Sequence, residues 1–569
     1  MKGADLAANS LGSLGIKYVF GMSGSSISGI LDSIYQSDSD VEFIGIRHEN
    51  AAAFMADAYS RVTHLPSACA FQWGPGAANS MLGVATAYRD NSPIMIVTGE
   101  TPTDRVGREG FHEWNQVGVF SNVTKWSHTP RSPKEIPWTF KTAYSRAIGG
   151  NPGPVLINLP GDVLSKELEG TEQKISPISR ETFRTRPNPD LVRKALEVIL
   201  SSRQPVIIVG SGVIWSAASA ELQEFAELLS IPVVNSLSAR GAIPEDHPLS
   251  LGVLWAAVGR TTSKAAVNAI KSTDCLISIG CRLSDVTTNG WSLVPRSAKI
   301  IQVHNNPNQI GFQYDVTVGM QADPKLFLND MILELKNEMA RVKSVTALWK
   351  GSTRLSDLAS DRKSFFEFLD SVKGTNQVNP WSIIKSLNKL LKRKSIITTG
   401  AGTHSWFVGM LPRYLPGTGM KAAGFGTVGF PFPASMGAKL AAPDFQVVSC
   451  DGDGGFMATM PDLETAVRHD IGITEVIFND RSLGAERWKS KFQYGERYYE
   501  VDIKAPDYAK VAQNFGARGY RVEKDEELDS VLTEAFSGKG PAVVDVIVDP
   551  WVSPGIFRLG ADLPVSSSD

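Results

Sequence analysis

The stretch 449-SCDGDGGFMATM-460 sets Asp451 and Asp453 among glycines, and Asp480 follows Asp453 by 27 positions. Two chemistries fit such a pattern. A calcium loop needs oxygen ligands at alternate positions and a bidentate Glu at the twelfth. Counted from Asp451, the twelfth residue is Asp462 and the fifth is Gly455, so ligands are missing. A phosphate cradle needs a strand leading into the glycines and a helix leading out, and 446-QVVSC, a helical pattern from about Pro461 and the strand 473-ITEVIF supply both. In a strand-helix-strand unit both strands end on one edge, so Asp453 and Asp480 can meet there. Two carboxylates and a backbone carbonyl leave room for water and phosphate oxygens, which suits Mg²⁺. Gly454 and Gly455 would let the backbone approach a diphosphate at a helix N-terminus. The bland alternative is a glycine turn between strand and helix.

The elements that must hold these groups recur along the chain. Short β-branched runs alternate with amphipathic helical segments, the pattern of parallel sheets covered by helices. The runs 18-YVFG, 94-IMIVTG and 154-PVLINLP belong to a first unit, 205-PVIIVG, 232-PVVNSL, 275-CLISIG and 299-KIIQV to a second, and 395-SIITTG, 446-QVVSC, 473-ITEVIF and 542-AVVDVIV to a third. The expected fold is α/β, with three doubly wound parallel-sheet domains at 1–169, 189–342 and 379–569, joined by linkers at 170–188 and 343–378. A chain of 569 residues exceeds one ordinary core, which agrees with this division.

With 42% hydrophobic and 20% charged residues and a net charge of −2, nothing in the composition calls for nucleic acid or an anionic membrane as partner. The start MKGADLAANSLGSLG lacks a positive region before an apolar run, and no stretch reaches the length of a membrane span, so a cytoplasmic protein is expected. Cys69, Cys275, Cys281 and Cys450 sit in or beside apolar segments without metal-type spacing, as buried thiols do.

Gly452-Asp453-Gly454 followed at this spacing by Asn479-Asp480 resembles the motif of thiamine-diphosphate enzymes. The family pattern ends in Asn-Asn, and Asp480 stands here in the ligand's place, adding charge without removing the oxygen. The resemblance implies metal ligands Asp453, Asp480 and the backbone carbonyl of Ser482, with Gly452, Gly454 and Gly455 around the diphosphate. Such a cofactor needs an acid at the aminopyrimidine N1′, and 44-IGIRHENAAAFMADAYSR-61, which resembles the first-domain motif of acetolactate synthase, puts Glu49 in that role. Taken alone, this Glu reads as a surface or helix-capping residue. By the same resemblance 73-WGPGAANS contributes Gly74 and Asn79, 399-TGAGTHSW contributes Thr403 and His404, and 424-GFGTVGFPFPASMGA contributes Gly426 and Val428, whose backbone groups would hold the pyrimidine while the Val428 side chain bends the cofactor. Gly24 and Ser25 join Glu49 and His112 in the candidate catalytic set. The family places the acid-bearing domain of one subunit against the diphosphate domain of another, implying a homodimer or homotetramer.

Within that family, 235-NSLSARGAIPEDHPLSLG-252, 278-SIGCRLSDVTTNG-290 and 110-GFHEWNQVGVF-120 resemble acetolactate synthase, with His112 in place of the usual Gln. An imidazole there could donate or accept a proton near neutral pH, or be a structural, hydrogen-bonded group. The segment 253-VLWAAVGRTTSK departs from the one that touches FAD in acetolactate synthase, which leaves FAD doubtful, and 209-VGSGV-213 is too weak a signal to restore it. The cover segment 482-SLGAERWKSKFQYGERYYEVD-502 supplies candidate substrate-loop residues Leu483, Glu486 and Lys489. Its Gly484-Ala485-Glu486 resembles sulfoacetaldehyde acetyltransferase, and 115-NQ-116 points the same way. Arg487, Lys489 and Lys491 either solvate a loop or, facing the site, favour an anionic substrate. The expected reaction is decarboxylation of a small 2-oxo acid with transfer of the two-carbon unit. A 2-hydroxyacyl-CoA lyase or oxalyl-CoA decarboxylase shares the scaffold, although the terminus VSSSD carries no Ser-Lys-Leu address. A non-catalytic relative would be expected to lose Glu49 or a metal ligand, and both are retained.

Overall fold

The computed structural model describes residues 1–37, 39–169, 175–255, 264–341, 353–373, 376–411 and 413–552. Three six-stranded sheets, parallel throughout, follow one another along the chain. The first holds β1 (Tyr18–Gly21), β2 (Glu42–Gly45), β3 (Ser67–Phe71), β4 (Ile94–Glu100), β5 (Trp126–His128) and β6 (Val155–Pro160) in the order β2-β1-β3-β4-β6-β5. The second holds β7 (Pro205–Val209), β8 (Val233–Ser236), β9 (Ser250–Leu254), β10 (Cys275–Ile279), β11 (Lys299–His304) and β12 (Val318–Gln321), ordered β12-β11-β10-β7-β8-β9. The third holds β13 (Ser395–Thr399), β14 (Gly419–Lys421), β15 (Gln446–Gly452), β16 (Thr474–Asn479), β17 (Arg518–Val522) and β18 (Ala542–Ile547), ordered β14-β13-β15-β16-β18-β17. Central strands such as CLISI and AVVDVI are buried along their whole length because helices cover both faces.

In each sheet the chain leaves one strand in both directions, and the crevice between the two connections is where parallel α/β sheets bind ligands. That point lies between β1 and β3 in the first sheet, β7 and β10 in the second and β13 and β15 in the third. The loops flanking the first and third crevices begin at 22 and 72 and at 400 and 453, where the sequence motifs lie.

The first and third sheets share a core. The helix Glu49–Thr63 carries Ala51, Ala52, Ala53, Ala56 and Ala58, all buried, and these small side chains let it lie close against the helix Pro431–Ala441. The approach is so tight that a Cβ on Gly437 would stand 2.1 Å from the Met55 carbonyl oxygen. Phe54 meets Phe430 edge-on at 5.4 Å, and both belong to a cluster with Phe71, Phe432, Phe456 and Tyr508. Arg61 ties the seam, donating to Asp57 and to the Lys421 carbonyl oxygen, with Asp90 3.1 Å away. The second sheet has its own core, around Phe225, Phe327 and Leu335.

The stretch expected as an irregular linker at 343–378 contains a helix, Thr353–Ser371. Its polar composition hid an apolar stripe, with Phe365 and Phe368 packing on Trp381 at 6.2 and 5.2 Å. All four cysteines are buried. No helix among the described residues is long and apolar enough to cross a membrane.

Candidate active site

The third crevice is built around a buried carboxylate. Asp451, on β15, accepts the Gly452 N–H at 2.9 Å, and a Cβ at Gly455 or Gly400 would stand 2.2 or 2.6 Å from its Oδ1. Those glycines are therefore demanded by Asp451 as well as by any phosphate. A helix starts at Asp453 itself, eight residues ahead of the expected Pro461, because the glycines pack inside its first turn and do not form a separate loop. Gly452 pairs with Phe478 across β15 and β16, which brings Asp453 out beside Asn479. The Asn479 side chain turns away to Asp545 at 2.8 Å, leaving the edge to Asp453 and Asp480.

Asp453 Oδ2 is buried without a hydrogen-bond partner among the described residues, and Asp480 Oδ1 accepts the Ser482 N–H and hydroxyl, both at 2.9 Å. Burial, then the neighbouring Asp480, pushes Asp453 up to about 8, and burial pushes Asp480 up to about 6. Two desolvated carboxyl groups of this kind are stabilised by a cation, so the residues present fit a divalent ion. Thr403 and Asp480 converge on Gly484, where a Cβ would stand 2.6 Å from Thr403 Oγ1 and 2.3 Å from Asp480 Oδ2. His404 lies deeper. Its ring would crowd a Cβ on Gly402 or Gly452 at 3.1 Å, its Nε2 comes within 3.4 Å of Asp451 Oδ1, and burial drops it to about 3, so it is a neutral support beneath the glycines.

On the first sheet, Glu49 opens its helix and is 6% exposed. Asn79 donates to its Oε2 at 3.0 Å, while a Cβ on Gly76 would stand 3.0 Å from its Oε1. The third unit holds the approach to this acid. Asp462 accepts the Arg47 N–H at 2.8 Å, and the Gly45 carbonyl accepts from Thr465 Oγ1 at 3.2 Å and from the Arg468 guanidinium at 2.5 Å. Gly24 packs on Gln72, whereas Ser25 is exposed and engages Ser28 through its carbonyl at 2.9 Å.

The sequence reading missed Gln72, Ser26 and the role of Gln116. Gln116 is fully buried, receives the Gly74 N–H at 3.1 Å and donates to Gly99 O and Asn158 Oδ1 at 2.9 and 2.6 Å. Asn115 caps the following short helix. The pair 115-NQ-116 thus folds the loop and gives no separate support to the acetyltransferase resemblance. The signal for Gln72 was a long polar side chain closing the buried strand β3 just before Gly-Pro-Gly.

The segment 424–428 is seated on the first unit, with Gly424 N–H donating to Asp90 Oδ1 at 2.8 Å and Thr427 sharing a hydrogen bond with Thr86 at 2.7 Å. Gly426 has φ +70°, a conformation that favours glycine, and Val428 is 50% exposed. The expected cover is a helix, Gly484–Gln493, preceded by Leu483, whose N–H donates to Val501 O at 2.7 Å and whose side chain lies over Gly454. Its cations are engaged within the chain. Arg487 pairs with Asp502, Lys489 with Glu486 at 3.9 Å, and Lys491 stands 4.6 Å over the Trp551 ring. These charges therefore give no separate support to an anionic substrate.

At the crevice of the second sheet, Gly210, Gly212, Gly280, Arg282, Ser284 and His304 help to line an open cleft. The glycines of 209-VGSGV-213 have a local cause, since a Cβ on Gly210 would stand 2.2 Å from the Gly280 carbonyl. They give no separate support to FAD. Of the segment 253–264, residues 256–263 lie outside the described residues.

Comparison with known proteins agrees with this geometry. Residues 1–119 match the N-terminal TPP binding domain of thiamine pyrophosphate enzymes, 192–331 their central domain and 400–546 their C-terminal TPP binding domain. The chain belongs to the thiamine pyrophosphate enzymes and, within them, to the acetolactate synthase-like group. A probable acetolactate synthase large subunit of Methanocaldococcus jannaschii is 35% identical, over 97% of this chain and 92% of its own length. The acetolactate synthase large subunit of Haemophilus influenzae is 31% identical over 96% and 95%, and the acetolactate synthase of Mycobacterium bovis 31% over 96% and 88%.

Proposed function

We propose that this enzyme decarboxylates a small 2-oxo acid such as pyruvate and joins the remaining two-carbon unit to the carbonyl of a second 2-oxo acid. With pyruvate as donor and acceptor, two molecules and one proton become acetolactate and CO₂. Bound thiamine diphosphate supplies the electron sink for the bond broken beside the carbonyl. The observation that carries the reading is Glu49. One carboxylate oxygen is taken by Asn79 and the other faces Gly76, which supports a role for this buried acid in which it would hold a proton at the aminopyrimidine N1′. Asp453, Asp480 and the Ser482 carbonyl would hold Mg²⁺, and Gly454 and Gly455 the diphosphate. Gly426 would meet the pyrimidine edge, and Val428 would support the bent cofactor. A second copy of the chain completes the site, and the half-exposed Phe425 and Val428 offer it an apolar surface.

Incubating the purified protein with thiamine diphosphate, Mg²⁺ and pyruvate, 2-oxobutyrate, oxalyl-CoA, 2-hydroxyacyl-CoAs or sulfoacetaldehyde plus phosphate, with products read by mass spectrometry, tests the proposal. Acetolactate from pyruvate is expected. Acetyl phosphate with sulfite, cleavage of a CoA ester alone, or no product would overturn it.

A further inference from the structure

His112 has φ +66°, left-handed backbone that a non-glycine residue keeps only when its surroundings hold it. Gly74 lies against it, where a Cβ would stand 2.7 Å from the His112 carbonyl oxygen and 2.9 Å from its Cβ. The Phe111 ring stacks on the imidazole at 3.7 Å between centroids and 26° between planes. On the remaining side, Nδ1 stands 3.4 Å from Gln72 Nε2.

The orientation of that amide follows from its other end. Gln72 Oε1 receives the Ser26 N–H and the Ser26 hydroxyl, both at 2.9 Å, and a backbone N–H can only donate. Ser26 Oγ is itself fixed as a donor to Gln72 by accepting the Trp73 N–H at 3.2 Å. The amide nitrogen therefore points at His112. It has no lone pair to offer, so Nδ1 must be the acceptor, and a neutral imidazole with an accepting Nδ1 carries its proton on Nε2. The acidic groups nearby are occupied elsewhere. Glu113 spends its carboxylate on the N–H groups of Gly107 and Gly110, and Glu49 is bonded by Asn79.

We propose that Gln72 is a positioning residue that locks His112 as the Nε2–H tautomer, so that His112 meets the substrate as a hydrogen-bond donor to a carbonyl or carboxylate oxygen and not as a base. The role toward substrate rests on the 2-oxo acid reading above, whereas the tautomer lock stands on the geometry alone. The placement suits it, because the Gly74-Pro75-Gly76 turn has His112 at one end and Glu49 at the other.

Two measurements separate the parts. In protein labelled with ¹⁵N-histidine at pH 8, loaded with thiamine diphosphate and Mg²⁺, the ring signals lost in His112→Gln should report a proton on Nε2 and a bare Nδ1. A proton on Nδ1 overturns the lock. Gln72→Glu keeps an acceptor for Ser26 but adds one facing Nδ1, drawing the proton there and leaving Nε2 bare. Its kcat/KM for pyruvate should fall by about tenfold or more at pH 8 and recover toward lower pH, where the imidazolium again carries an Nε2 proton. In a His112→Gln background, Gln72→Glu should change kcat/KM little, since the introduced amide brings its own N–H. An equal loss in both backgrounds, or a loss that does not vary with pH, overturns the donor role. Wild-type protein that shows the Nε2 proton but turns over no 2-oxo acid supports the lock and refutes the substrate class.

Discussion

The backbone N–H of Arg47, two residues ahead of Glu49, donates to Asp462 Oδ1 at 2.8 Å, across 415 positions of sequence. Asp462 follows the helix Asp453–Thr459 after a single turn, so the acid at the head of one crevice is held by the segment that leaves the other. Thr465 and Arg468 add two further bonds to Gly45.

Glu49→Gln should fold normally, because the amide oxygen can still accept from Asn79, yet kcat should drop by a factor of about 100 or more, as for loss of a positioned proton-transfer group. Steady-state kinetics beside a melting curve checks this. Unchanged turnover would remove Glu49 from the mechanism.

Asp453→Ala removes the carboxyl whose Oδ2 is buried without a partner among the described residues. Calorimetric titration should show thiamine diphosphate and Mg²⁺ affinity falling together, by about tenfold or more. Unchanged affinity for both sinks the metal-diphosphate account.

Asp462 makes stability depend on pH. Burial raises it from 3.8 to about 7, against the opposing hydrogen bonds from Arg47 and Thr465. Between these values the folded chain holds a proton that the unfolded chain has lost, so stability falls as pH rises through the window and the whole penalty is present above it. Asp462→Asn keeps an acceptor for the Arg47 N–H and should flatten the fall, gaining Tm relative to wild type at pH 8 more than at pH 5. An equal difference at both pH values would show that this carboxyl does not titrate in the window.

Gly455→Ala would drive a Cβ to 2.2 Å from Asp451 Oδ1, and Asp451 is fully buried. A loss of about 1 to 3 kcal/mol is expected, and Asp451→Ser in the same chain should restore part of it by shortening the obstacle. Denaturant unfolding of both variants measures it, and a double variant no more stable than the single one would place the clash elsewhere.

What the sequence made legible was whatever repeats at a fixed period or spacing. Eleven of the eighteen strands among the described residues announce themselves by β-branched runs, whereas SACAF, WSH and GMK carry none and escape, and Asp453 and Asp480 stand at a separation that fits one strand-helix-strand unit. Residues whose work depends on tertiary packing stayed hidden. Gln72 matters because Ser26 takes its oxygen, and Gln116 because it is buried against Asn158; a polar side chain at the end of a buried strand is a faint local mark of the first, and no local pattern gives the role of the second. The helix Thr353–Ser371 escaped notice because its apolar stripe is short and flanked by Ser, Asp and Lys. Arg487 and Lys489 read as free charges until Asp502 and Glu486 were found beside them.

The contact of Phe54 with Phe430 has a consequence during synthesis. Roughly 375 residues, including the whole second sheet, must be translated between them, which at about 5 to 20 residues per second takes about 20 to 75 seconds. For that interval the side of the Glu49 helix that meets the helix Pro431–Ala441 lacks that partner, although Ala53 already packs beside Gly83 of the first unit. The newborn first unit must wait, sticky side outward, for its other half to leave the ribosome, and slowing or truncating translation before residue 430 should send it to aggregation or to chaperones.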